Sequence, residues 1–379
     1  MALTMKINET LKTPYYLIDE RRLATNLEIL AKIKRRTGAK ILLAQKAFSS
    51  FYFYPQLANV LDGTASSGLY EARLAYEHFG KEIHVFSPAY KDDEFDELLT
   101  YADHFVFNSK SQLMRYKDKA LAKGKTIGVR INPEISTQDA AHAMYDPCSP
   151  SSRFGIKIDD FDIDIIKHIS GFHFHTLCQQ NADALAITLQ EVERKFGSHL
   201  HQLKWINFGG GHHLTRPDYD IELLVKTINE FKAKYGLTVY LEPGEAIVMN
   251  AGFLVASVLD TVQADYPVLI LDASATCHMP DVIEMPYTPK VIGTLTKCGQ
   301  LVRLASHTCL TGDNFGLYRY EKIPSIGDKI VFEDMALYTI VKNNTFNGMR
   351  LPAIYARKID GSDVLVTSFD YQDFKQRLS

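Results

Sequence analysis

Lys46 closes an apolar run, Ile41, Leu42, Leu43 and Ala44, in the stretch ILLAQKAFSS at 41–50. An ammonium at the end of a buried strand costs several kcal/mol unless it is neutralised, paired or used covalently. A lysine there can also snorkel to solvent. Other groups of chemical interest end similar runs. His173 and His175 stand two apart in GFHFHT, hence on one face of an extended chain. Gly209, Gly210 and Gly211 follow WINF, and Glu242 opens the tetrad Glu242, Pro243, Gly244, Glu245. Bare glycine N–H groups hold phosphate, an amine captures an aldehyde, and a carboxylate pairs with a cationic ring nitrogen. Together they point to pyridoxal 5'-phosphate. Lys46 would hold its aldehyde as a Schiff base, the glycines its phosphate, and Glu242 its pyridinium nitrogen. A ring kept protonated is a strong electron sink, as decarboxylation needs. Taken singly, three glycines read equally as a flexible turn, and Glu242 as a surface acid. The H-x-H pair also suits zinc. The remaining run ends offer mostly Ser66, Ser67, Asn132 and glycine, so no metal is expected and a histidine stacked on a flat ring is the simpler reading.

Such groups need a scaffold that gathers strand ends. Eight short apolar runs recur, at 40–45, 59–65, 82–87, 104–108, 126–132, 170–176, 205–210 and 238–244. Amphipathic stretches such as LYEARLAYEHF, KDDEFDELLTYA and DIELLVKTINEFKAKYG separate them. This alternation predicts an α/β fold with a (β/α)8 TIM-type barrel, whose active groups stand at the C-terminal strand ends. An open doubly wound sheet would want G-x-G-x-x-G after its first strand, and none is present. The polar insertion 133–160 is expected to cap one end of the barrel. After about residue 249, FLVASVLDTVQ, YPVLILDAS, DKIVFED, ALYTIVK, PAIYARKI and DVLVTSF read as strands between turns. They predict a C-terminal mostly-β sheet domain that also takes the N-terminal strand TPYYLID at 13–19. The expected division is a barrel over 20–249 and a β domain from 1–19 and 250–379.

The bulk numbers narrow the class. A chain of 379 residues, 46% hydrophobic and 23% charged, reads as a globular protein of two domains. A net charge of −3 without basic runs argues against nucleic acid. No apolar stretch is long enough for a membrane span, and MALTMKINETLKTPYY lacks a signal-peptide core. Five scattered cysteines without a C-x-x-C pair suit free thiols and a cytoplasmic location.

Six motifs, AQKAF, GFHFHT, NFGGG, EPGE, HTCLTGDNFG and ALYTIVKNNTFNG, follow one another along nearly the whole chain. In this order they resemble the fold-type III, alanine-racemase-like pyridoxal-phosphate decarboxylases, which include the ornithine/arginine and diaminopimelate enzymes. The resemblance implies a head-to-tail homodimer with shared active sites. It makes Lys46 the Schiff-base lysine, His175 the ring-stacking histidine, and Glu242 the partner of the pyridine nitrogen. Gly209, Gly210, Gly211 and Gly244 become phosphate ligands together with Tyr338, eight residues before Phe346. Cys309 becomes the acid that reprotonates the product carbanion in the partner's site, and Asp313 a ligand of the substrate amine. Leu177 and Cys178 replace the Gly and Ser usual in ornithine and diaminopimelate enzymes, Glu245 replaces their Arg, and DASATCHMPDVIEMPY at 272–287 is unlike either. These departures are similar to the carboxynorspermidine (carboxyspermidine) decarboxylases of bacterial polyamine and spermidine biosynthesis. The resemblance thus implies a polyamine-type amino acid as substrate, with Asp272, Glu245, His278, Asp281 and Glu284 as substrate-binding candidates. Acids suit a substrate with extra amines, whereas diaminopimelate brings a distal carboxylate and wants a cation. Arg319 and Arg350 are available for such a carboxylate, so diaminopimelate decarboxylase stays as the alternative. A non-catalytic cofactor-binding homologue is another, although such a protein commonly loses Lys46 or Cys309.

Overall fold

The computed structural model describes residues 6–138 and 145–379, and it divides into two compact units, 25–247 and 1–24 with 248–379. The first strand, β1 (Tyr15–Asp19), belongs to the second unit. The first unit is a closed parallel barrel of eight strands. They are β2 (Lys40–Ala44), β3 (Gly63–Ser66), β4 (Glu82–Phe86), β5 (His104–Phe107), β6 (Thr126–Arg130), β7 (Gly171–His173), β8 (Trp205–Asn207) and β9 (Thr238–Leu241). The expected order holds, with strands shorter than the apolar runs. In the second run, 59–62 finish the preceding turn: Asp62 Oδ2 accepts from Ile41 N at 2.8 Å and ends that turn before pairing begins.

Helices alternate with the strands because their apolar residues recur at helical spacing. In Ile221–Tyr235, Leu224, Val225, Ile228 and Phe231 are buried on one stripe. Asp220 caps its start by accepting from Leu223 N, and Gly236 ends it at φ 70°. The barrel interior holds Leu42, Val106, Trp205 and Tyr240. Trp205 fits because β6 and β7 present glycine to it. A Cβ on Gly171 would lie 2.0 Å from the indole, and one on Gly128 would lie 2.5 Å from it.

The insertion after β6 is anchored at the C-terminal side of the barrel. Asn132 Nδ2 donates to Phe154 O at 3.0 Å, and Asn108 Nδ2 to Arg153 O at 2.8 Å. Residues 139–144, in its middle, lie outside the described residues.

The second unit is an eight-stranded sheet built from β1, β10 (Gly252–Gln263), β11 (Pro267–Leu271), β12 (Gln300–Ser306), β13 (Asn314–Tyr320), β14 (Lys329–Glu333), β15 (Ala353–Arg357) and β16 (Asp363–Thr367). The N-terminal strand is central: β1 runs antiparallel to β10 and parallel to β15. Tyr15, Leu17, Phe253, Val255 and Val331 form the core beside it. Two strands escape the sequence reading, β12 and β13. A register shift at Leu304/Ala305, opposite Gly316 at φ 123°, breaks the alternation that reveals a strand. One expected strand is not there. ALYTIVK at 336–342 forms bends and turns, with Tyr338 at φ 48° and Lys342 N bonded back to Thr339 O at 3.0 Å. A left-handed residue cannot continue an extended ladder.

Candidate active site

The C-terminal ends of β2, β7, β8 and β9 bring Lys46, His173, His175, Gly209 to Gly211, Glu242 and Gly244 into one unit, all within or just after strand ends. Lys46 makes no hydrogen bond or ion pair among the described residues. Its side chain keeps accessible surface. Protein around the ammonium still lowers its pKa: lost hydration dominates, Glu242 pulls the other way, and Arg130 adds to the lowering.

Glu242 is held as an anion. Burial pushes its carboxyl up, but His173, His84 and the Asn207 amide outweigh burial and hold it at about 2. Asn207 Nδ2 donates to Oε1 at 2.7 Å, and His173 Nε2 stands 3.3 Å from Oε2. His173 is 1% exposed, and burial lowers its pKa. We assign it as a neutral imidazole with its proton on Nε2, directed at the carboxylate, and a buried Nδ1 that has no partner among the described residues. His175 is also kept neutral, by burial first and then by Lys46 and Arg130. Its Nδ1 accepts from Gly210 N at 3.1 Å.

The three glycines are required by close approach. A Cβ would meet Phe174 O at 2.4 Å from Gly209, Glu242 O at 2.4 Å from Gly210 and Leu177 O at 2.0 Å from Gly211. Their N–H groups are not equivalent. Gly209 N donates to Asn207 Oδ1 at 2.9 Å, and Gly210 N to His175. The N–H groups of Gly211 and Gly244 have no partner among the described residues. A Cβ on Gly244 would strike Ala47 Cβ at 2.5 Å, so the backbone there is pressed against the Lys46 turn. An unbonded amine of lowered pKa, two free backbone donors in side-chain-free chain and an ionised carboxylate together fit pyridoxal phosphate.

Glu245, in the same unit, is engaged by protein. His213 Nε2 lies 3.2 Å from Oε2, and Gln179 Nε2 donates to Oε1 at 2.9 Å. Three residues of this site escape the sequence reading. Arg130 is 4% exposed, donates to His175 O at 2.9 Å and lies over Phe86 and Phe154. Its signal was a charge at the end of an apolar strand, the same signal that marks Lys46. Asn207 ties Glu242 to the glycine turn. Glu71 accepts from Ser67 N at 2.6 Å; burial raises its pKa, against the Ser67 bonds and the charge of Lys46. Nothing in the sequence marks Glu71, and Asn207 opens the NFGGG motif without a role that the motif itself reveals.

The remaining candidates belong to the sheet unit. There the segments 272–287, 306–313 and 338–347 are knitted together. Asp313, 3% exposed, accepts from Ser274 Oγ and Thr308 Oγ1, both at 2.6 Å, and from Thr276 N at 3.1 Å. Cys309 is exposed, and its N–H is held by Asn347 Oδ1 at 2.7 Å. Tyr338 lies beneath Lys342, 6.0 Å from ring centre to ammonium. That ammonium is bonded to Asp281 and Glu284 together. Two substrate-binding candidates are committed to the fold instead. Asp272 accepts from Thr13 Oγ1 at 2.5 Å and Ser257 N at 2.8 Å. His278 is 0% exposed, with Nδ1 3.2 Å from Ser274 N and Nε2 3.1 Å from Arg350 O. An enclosed ring with both nitrogens engaged has nothing left to offer a ligand.

Comparison with known proteins agrees with this chemistry. The family model described as pyridoxal-dependent decarboxylase, C-terminal sheet domain, matches residues 16–336. The chain is 41% identical to the carboxynorspermidine/carboxyspermidine decarboxylase of Campylobacter jejuni, over 97% of this chain and 99% of that protein. It is 38% identical to the carboxyaminopropylagmatine decarboxylase of a Synechocystis strain, over 97% and 96%. The crystal structure of C. jejuni carboxynorspermidine decarboxylase complexed with norspermidine superposes with a TM-score of 0.91 at 40% identity, covering 97% of this chain and 100% of that one.

Proposed function

The chain belongs to the pyridoxal-dependent decarboxylases, and we propose that it decarboxylates carboxynorspermidine or carboxyspermidine to norspermidine or spermidine. The observation that carries the substrate class is the full-length likeness to decarboxylases of carboxynorspermidine/carboxyspermidine and of carboxyaminopropylagmatine. All three compounds are amino acids with a cationic tail. Acids in the 272–287 segment support the same class. Asp281 and Glu284 already hold one ammonium, that of Lys342, and would hold a substrate amine in its place.

Bound pyridoxal phosphate supplies an aldehyde that condenses with amines and a ring that accepts the electron pair left when carbon dioxide departs. The residues around it divide the remaining work. Lys46 would hold the aldehyde, and its lowered pKa keeps more of the amine unprotonated and nucleophilic. Gly211 and Gly244 would offer backbone N–H groups to the phosphate. Glu242 would hold a proton on the ring nitrogen, and its own anionic state is secured by His173 and Asn207. Neutral His175 would present an uncharged imidazole for stacking, which avoids the repulsion that an imidazolium would exert on a cationic ring. The protein works as a homodimer in the cytoplasm, and Cys309 of one subunit donates the proton that completes the product at the other's site.

Release of carbon dioxide by the cofactor-loaded enzyme tests this. The panel is carboxynorspermidine, carboxyspermidine, carboxyaminopropylagmatine, meso-diaminopimelate and ornithine. Turnover of the first two is expected, with a modest preference, because one methylene is worth about 1–3 kcal/mol in a pocket. Preference for carboxyaminopropylagmatine would transfer the assignment to that substrate, and preference for diaminopimelate would overturn the acid-rich reading. Cys309→Ala should bind cofactor normally and lose roughly a hundredfold in product formation.

A further inference from the structure

The N-terminal side of the barrel carries a second cluster that this reaction does not use. His84 and His104 are direct neighbours across β4 and β5. Glu82 lies two residues before His84 and therefore on the same face of β4. One donor atom from each of Glu82, His84 and His104 falls within 4.8 Å of the other two. The two rings stack at 3.9 Å and 7°. His84 is 2% exposed, and the Nδ1 atoms of both histidines are buried without partners among the described residues. Around them stand Trp205, edge-on to both rings, and Tyr240, whose hydroxyl donates to Glu82 Oε2 at 3.2 Å. Lys40 is bonded to Glu82 Oε1 and accounts for that oxygen. It does not account for two imidazoles brought together inside a barrel.

We propose that Glu82, His84 and His104 bind a divalent transition-metal ion of the zinc class. Two imidazoles and one carboxylate are a common zinc donor set, with water completing the four. His84 Nε2 and Glu82 Oε2 are 3.4 Å apart. Two metal bonds of about 2.0–2.1 Å at a tetrahedral angle span about 3.4 Å, so these two atoms already stand at the separation that a shared ion would set. Shared ligation requires the His104 ring to tilt out of this parallel stack, because imidazole lone pairs lie in the ring plane. Lys40 competes for the same carboxylate and tunes the affinity downward.

The experiment is a cobalt(II) and zinc titration of the cofactor-loaded enzyme after chelator treatment, with zinc measured against a chromogenic chelator. One ion per chain is expected, with the visible ligand-field bands of low-coordinate cobalt. His104→Phe keeps an aromatic ring in the stack and should lower affinity at least about tenfold. Glu82→Gln should do the same, and gives the reading if the first variant does not fold. Lys40→Met should tighten binding by removing the competitor. The proposal is overturned if cobalt shows no such bands, if the histidine and glutamate variants bind like the parent, or if Lys40→Met does not tighten binding.

Discussion

The two ends of the barrel use the same three residue types and put them to different ends. At the N-terminal side Lys40, Glu82 and His84 stand together; at the C-terminal side the trio is Lys46, Glu242 and His173. The glutamate–histidine geometry is nearly identical, 3.4 Å at one end and 3.3 Å at the other. Both carboxyls are held at about 2 against the upward push of burial. The lysines differ. Lys40 is bonded to its glutamate, and despite the opposing effect of burial its pKa is raised. Lys46 meets Glu242 only through space, and its pKa is lowered. A lysine given a carboxylate partner becomes a fixed cation, whereas one denied it keeps a reactive amine. At the C-terminal side Asn207 takes the place on the carboxylate that the lysine fills at the other end.

Replacing the two lysines should separate these roles, and the largest effect falls on Lys46. Lys46→Ala should cost about a thousandfold or more in turnover, some 4 kcal/mol of barrier. It should also abolish covalent retention of the cofactor, read by borohydride reduction and mass spectrometry. Retained turnover would erase the contrast. Glu242→Gln keeps the shape and one acceptor for Asn207 while removing the charge and the acceptor that His173 faces. It should lower kcat roughly a hundredfold with cofactor still bound, and an unchanged kcat would make Glu242 as structural as Glu82.

A third expectation concerns the neutral histidines of both units. Burial holds His212 and His278 at about 4, below the ordinary 6.5. The unfolded chain therefore binds protons first on acidification. Stability is full above pH 6.5 and falls as pH drops toward 4, by about 2 kcal/mol per histidine at pH 5. Glu242 acts in the same sense at lower pH, its contribution being lost from 4.5 down to about 2. Urea midpoints at pH 7 and pH 5 at constant salt measure this, and equal midpoints would contradict the neutral assignments. The smallest effect belongs to Lys40→Met. The pair is one-third exposed, so its loss should cost under about 1 kcal/mol. Turnover should stay within about twofold, and a larger drop would tie the N-terminal cluster to the reaction.

Much of this was legible beforehand, for identifiable reasons. Parallel strands covered by helices are apolar throughout, so Ile41 to Ala44 and their counterparts announce themselves, and a lysine at the end of such a run stands out. β12 and β13 did not, because a bulge disrupts their period of two. ALYTIVK misled because its composition favours a strand while its backbone turns at Tyr338. Arg130 carried a readable signal that went unused. Glu71 carried none, since a polar residue in a first helical turn is ordinary until its neighbour is known, and Asn207 stood in NFGGG with no sign that it would hold a carboxylate.

The sequence by itself determined the alternation of elements, the residue types at each strand end and the family to which the chain belongs. These are local properties: hydrophobic period, caps, glycines at crowded turns, and motifs in a set order. The tertiary structure alone decided the partners. It bonded Lys40 to Glu82 and left Lys46 unbonded, turned Asp272 and His278 into scaffold, and stacked His84 on His104. Those outcomes depend on barrel closure, which sets residues far apart in sequence at contact distance, and it is contact distance that fixes a charge, a proton or a lone pair.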